Sequence, residues 1–97
     1  MKPSRDAVLR VLRESKPALE QEFPVWRLAL FGSVARDEAD EQSDVDILVE
    51  VEPSIGLGFV TLAERLESLL GHKVDLVSRR GIKPLLWKRI ERELIDV

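Results

Sequence analysis

Cysteine is absent from the 97 residues, which excludes disulfide bridges and thiolate metal sites. Histidine occurs once, as His72 directly after Gly71. With no second His or Cys nearby, it reads as an exposed loop residue rather than a ligand. No run approaches the roughly 18 consecutive apolar residues of a membrane-spanning helix. The opening segment, MKPSRDAVLRVLRES, carries charges where a secretory signal needs an apolar stretch. Repeats, low-complexity tracts and linkers are also missing. These absences predict a cytoplasmic protein with no membrane partner. The length predicts a single domain over residues 1–97, near the lower end of what sustains its own core.

What is present is charge, unevenly spread. The chain is 34% charged and 44% apolar, the balance of a globular protein rather than a disordered one. Its net charge of −3 argues against direct nucleic-acid binding. Asp37, Glu38, Asp40, Glu41, Asp44 and Asp46 crowd one loop and the strand start after it. Arg79, Arg80, Lys83, Lys88, Arg89 and Arg92 crowd the C-terminal quarter. The bland reading of either cluster is a solvated face.

The periodicities predict an α/β fold: a small mixed three-stranded sheet flanked by about four helices. A helix runs from Ser4 to about Glu14, and Pro17 marks a second short helix or a kink ending before Pro24. VWRLALF, Val25–Phe31, reads as a strand ended by Gly32-Ser33, with Ser33 as the N-cap of a short helix from Val34 to about Glu38. Asp44–Val51 is a second strand whose odd positions, Val45, Ile47, Val49 and Val51, are all apolar and β-branched. Phe59–Leu70 carries a helical apolar stripe closed by Gly71. KVDLV, Lys73–Val77, is a third strand, and Pro84 opens a last helix bearing Leu86, Trp87, Ile90 and Leu94. Leu94–Val97 is a candidate edge strand. Trp26 and Trp87 read as partly buried anchors.

Two aspartates in an otherwise apolar strand need a reason, because desolvating a carboxylate costs several kcal/mol unless it is paired. Asp44 and Asp46 are two apart on one strand and share a face, with Cα atoms about 6.6–6.8 Å apart. Such a pair can share one cation or bracket two, and oxygen ligands select hard ions such as Mg²⁺. A strand-helix-strand crossover favours parallel neighbours, which lands Asp75 beside Asp46. All three carboxylates are then expected to converge. The short link between the first two strands predicts an antiparallel pair, placing Gly32 and Ser33 next to the aspartates. A glycine followed by a helix start offers free N–H groups to phosphate. A metal-bound nucleoside triphosphate would satisfy both halves of such a site at once, and Gly32 and Ser33 are expected to serve that triphosphate rather than the fold. Arg36, one turn on, is either a solvated arginine or a phosphate contact.

LFGSVARDEADEQSDVDILVE together with KVDLV resembles the minimal nucleotidyltransferase family of the DNA polymerase β superfamily. That pattern is Gly-Ser-x-Ala-Arg, an acidic loop, Ser-Asp-x-Asp and a later Asp, and the likeness covers nearly the whole chain. The resemblance implies that Gly32, Ser33 and Arg36 bind the triphosphate. It implies that Asp44, Asp46 and Asp75 are catalytic and hold two Mg²⁺ ions, or Mn²⁺, with ATP as substrate. It also implies an antitoxin that pairs with a helical HEPN-domain ribonuclease toxin and transfers AMP to a tyrosine hydroxyl of it. One departure is visible: Asp37 stands where relatives often have glycine. Rival readings are an antitoxin that neutralises by binding alone, and a nucleotidyltransferase acting on a small molecule.

Overall fold

Alternation along the second strand decides the architecture. Val45, Ile47 and Val49 are wholly buried on one side, while Asp46, Leu48 and Glu50 face the other. The computed structural model describes all residues, Met1–Val97. The elements run α1 (Arg5–Glu22), β1 (Val25–Phe31), α2 (Gly32–Ala35), β2 (Val45–Val51), α3 (Gly58–Leu70), β3 (Val74–Ser78), α4 (Pro84–Ile90) and β4 (Ile95–Asp96). The sheet has the order β3-β2-β1-β4. β1 pairs antiparallel with β2 and β4, and β2 pairs parallel with β3. The expected orientations of β1, β2 and β3 are therefore borne out. The strand count is four rather than three, because the C-terminal residues do add an edge strand.

The two faces of the sheet are covered unequally. On one, α1 and α3 pack Val8, Leu12, Leu62 and Leu66 against Leu28, Leu30 and the odd positions of β2. On the other, a smaller cluster of Ala29, Phe31, Leu48, Ile82 and Ile90 lies under α4. α3 ends at Gly71, whose left-handed backbone (φ +70°) lets its N–H reach the Glu67 carbonyl. The Glu67 side chain then accepts from the Val74 N–H at 3.0 Å, which fixes where β3 begins.

The helix before β1 is continuous through Pro17, not two helices. Losing a backbone bond at proline costs about 3 kcal/mol. Leu12 and Leu19, at 0% and 2% exposure, flank it on the buried side. Burying each contributes about 1.5–3 kcal/mol, which is enough to carry one helix across the exposed proline. α4 is shorter than its apolar pattern implied. It stops at Ile90, the one residue it buries fully, and Leu94 lies beyond the turn that follows. Trp26 is 66% exposed rather than an anchor. The β1–β2 register shifts between Val25 and Arg27, so Trp26 is the extra residue of a bulge and has no partner on β2. Trp87 is half-buried, with the Arg79 guanidinium 3.8 Å from its ring centre.

β4 has only two residues, and Arg27 clips it down. The arginine donates to Asp96 at 2.7 and 3.2 Å and to Glu50 at 3.3 Å. The first of these bonds holds the Asp96 carboxyl below its ordinary range.

Asp37 is the one non-glycine residue with positive φ, at +61°. That geometry gives the glycine preference at this position a physical reason. Replacing Asp37 by valine should lower unfolding free energy by about 1–2 kcal/mol, and replacing it by glycine should cost nothing. Urea denaturation of the two variants reads the difference.

Candidate active site

A single row of paired residues crosses three strands. Phe31, the last residue of β1, pairs with Asp46, and Asp46 pairs with Asp75. Neighbouring strands lie about 4.8 Å apart, so the two carboxylates sit side by side on the α4 face. Directly after Phe31 the chain turns at Gly32 with φ +78°. A Cβ built there would fall 2.1 Å from the Asp46 Oδ2 atom. No side chain fits without moving that carboxylate, and the backbone conformation itself disfavours one. Gly32 is therefore a requirement of the fold, which corrects the expectation that it serves the triphosphate rather than the fold.

These residues open onto a cleft of about 330 Å³. Phe31, Gly32 and Arg36 form one wall, Asp46, Asp75 and Val77 the floor, and Leu86, Arg89, Ile90 and Glu93 the wall from α4 and the turn after it. Asp44 is exposed, one residue ahead of β2, and does not line the cleft, although its charge still acts on Asp46. No three carboxylates form a preformed cation cage. The expected convergence is thus a close pair with a third carboxylate at the strand mouth. Ser33 is not the N-cap. That position is Phe31, without a side-chain cap, because the helical turn already begins at Gly32. Ser33 does not line the cleft either.

The residue that sequence reasoning missed is Glu93. It accepts the Gly32 N–H at 3.0 Å and the Arg36 Nη1 at 2.8 Å, one on each carboxylate oxygen. It lies in an irregular turn, outside any periodic pattern, and only the pairing of β4 on β1 brings it here. Of the C-terminal cations, Arg89 alone enters the cleft, and it makes no ion pair.

Burial pushes the Asp46 carboxyl up to about 6, with repulsion from Asp75, Asp44 and Glu93 adding to it and Arg36 opposing it. A hard cation fits this donor set. Asp46 and Asp75 present only carboxylate oxygens, and their mutual repulsion is what a divalent ion would remove.

The family of the nucleotidyltransferase domain matches residues 12–97. The protein adenylyltransferase MntA of Thermococcus cleftensis is 45% identical over 89 residues, covering 90% of this chain and 89% of that protein. A solved minimal nucleotidyltransferase structure superposes with a TM-score of 0.81 at 41% identity, over 97% of this chain and 96% of the other. A toxin–antitoxin crystal structure with AMP-PNP matches with a TM-score of 0.67 at 25% identity, over 95% of this chain and 70% of its counterpart. The chain belongs to the nucleotidyltransferase family, as a minimal nucleotidyltransferase.

Because the folded-state pKa of Asp46 lies above its ordinary value, the proton stabilises the fold. That stability is present below about pH 4 and is lost as pH rises through about 6. In metal-free buffer at pH 7, Asp46→Asn should therefore melt higher than wild type, and the gap should close between pH 6 and 4. Gly32→Val should melt lower at every pH. Thermal denaturation over this range checks both.

Proposed function

We propose that this chain transfers AMP from ATP to a hydroxyl of a partner protein, and that the partner is a HEPN-type ribonuclease toxin for which it serves as antitoxin. One observation carries the reading: the Asp46–Asp75 pair lies in register beside the Gly32 turn and Arg36. Carboxylates for a cation and donors for phosphate thus face one cleft. The likeness to MntA and to a toxin–antitoxin assembly crystallised with AMP-PNP supports both the nucleotide and the partner.

Asp46 and Asp75, with Asp44 at the strand mouth, would hold Mg²⁺ or Mn²⁺. Bound there, two such ions supply neutralisation of the phosphates and a lower pKa for the attacking oxygen. The residues of this chain do the rest. The Gly32 N–H and the Arg36 and Arg89 guanidinium groups orient the triphosphate. Asp75, the more exposed of the pair, accepts the proton of the incoming hydroxyl. That oxygen attacks the α-phosphorus in line, the bond to the bridging oxygen breaks, and pyrophosphate leaves. Ser33 contributes through its backbone position in the turn. The acceptor hydroxyl comes from the partner protein and enters the cleft between the Gly32 turn and α4. The working unit is a hetero-oligomer in the cytoplasm.

The test is intact-mass measurement of a co-expressed toxin partner. Wild type with ATP and Mg²⁺ should add AMP-sized steps to the partner and protect the cells. The double substitution Asp44→Asn with Asp46→Asn should add none and fail to protect. Equal protection by both proteins would mean neutralisation by binding alone.

A further inference from the structure

Glu93 is the third carboxylate lining the cleft, beside Asp46 and Asp75, and it stands where it would repel a polyanion. Its charge adds to the repulsion that Asp46 feels. Both of its oxygens are taken by donors that face the cleft. Oε1 accepts the Gly32 N–H at 3.0 Å, and Oε2 accepts the Arg36 Nη1 at 2.8 Å. This is how a protein grips an anion, one oxygen on a backbone amide and the other on a guanidinium. The Gly32 amide has a single hydrogen, so Glu93 and a phosphate oxygen compete for it, and two anionic oxygens sharing it would repel each other. The side chain also comes from a segment outside the regular elements. Glu93 lies between the end of α4 and the two-residue β4, in a turn with one backbone bond from its own N–H, to the Ile90 carbonyl at 3.0 Å.

We infer that Glu93 is a built-in competitor for the triphosphate: its carboxylate occupies the Gly32 amide and the Arg36 guanidinium, and nucleotide binds by displacing it. The inference rests on reading this cleft as the triphosphate site, and it adds a positioning residue that sets how tightly the site takes its substrate. Before nucleotide arrives, Glu93 keeps both donors aimed into the cleft and satisfied. A singly charged ligand offers little over the carboxylate already there. A triphosphate carries more charge and more acceptor oxygens, so it wins the exchange. Glu93 then swings toward solvent, which it already meets with 24% of its side chain exposed.

The test is calorimetric titration of the full chain with AMP-PNP and, separately, inorganic tripolyphosphate. Both are run without divalent cation, so that a change in metal affinity does not enter. Three proteins are compared: wild type, Glu93→Gln and Glu91→Gln. Glu91 is an exposed carboxylate two residues away that makes no ion pair, so its substitution changes net charge equally without touching the donors. Glu93→Gln should bind both ligands about tenfold tighter than wild type, the worth of one charged hydrogen bond no longer competing. Glu91→Gln should stay within about twofold of wild type by the same measure, since it loses only a screened surface charge. A latch with a purely structural role would give the opposite sign, a lower melting temperature with weaker or unchanged binding, and that would overturn the inference. So would an equal gain in Glu91→Gln. Should Glu93→Gln fail to fold, Glu93→Asp keeps the charge but withdraws it by one methylene, and the same comparison applies. If wild type binds AMP-PNP and no variant gains, the triphosphate reading stands and the displacement falls. If no protein binds either ligand in metal-free buffer, the same comparison is repeated with Mg²⁺, and absence of binding there too would bring down the triphosphate reading itself.

Discussion

The structure depends on the register of one strand. β2 can present Asp46 to the α4 face only because Val45, Ile47 and Val49 are locked into the opposite face at 0% exposure. A slip of one residue would drive the aspartates into the layer under α1 and α3 and expose the valines. Each of those apolar side chains is worth about 1.5–3 kcal/mol when buried, so the core prevents the slip many times over. The apolar side of the strand thus aims the polar side. Both neighbours inherit that aim: Phe31 ends β1 opposite Asp46, and Asp75 lies opposite it on β3.

Having fixed the carboxylates, the fold must tolerate them. Asp46 is half-buried beside Asp75, with Asp44 and Glu93 within electrostatic reach, and Arg36 is the counter-charge that acts on it. This arrangement spends stability on a local concentration of negative charge, a common feature of sites shaped for chemistry rather than for folding. Gly32 shows the same compromise. Its missing side chain lets the backbone pass against the Asp46 carboxylate, and the turn has no room for any other residue.

The sheet and its carboxylate pair were legible because they follow short-range rules. β-Branched residues at alternate positions name a strand and its buried face. A helix between two strands names a parallel pair, and the third position of DVDILV and of KVDLV then become neighbours. Where sequence reasoning strayed, tertiary context had overruled a local signal. Pro17 reads as a breaker until the leucines on both sides are seen to share one groove. Ser33 reads as a cap until the turn is seen to start a residue earlier. Asp44 reads as an equal of Asp46 until the strand is seen to begin after it. Glu93 left no local signal, because its role comes from a fold-back of the last residues onto β1. Asp37 was noticed only as a departure from a pattern, and its left-handed backbone supplies the cause.

The two sides of the sheet also differ in cohesion. Seventeen buried residues knit α1, α3 and the strands into one cluster, whereas five hold the layer under α4. Local opening free energies follow the amount of apolar surface at stake. Opening the α4 side therefore costs less than opening the α1 and α3 side. The strands that carry the carboxylate pair and the helix that faces it are thus held by different apolar clusters. Loosening of α4 would leave the row of Phe31, Asp46 and Asp75 in place, because its strands are held from the opposite side.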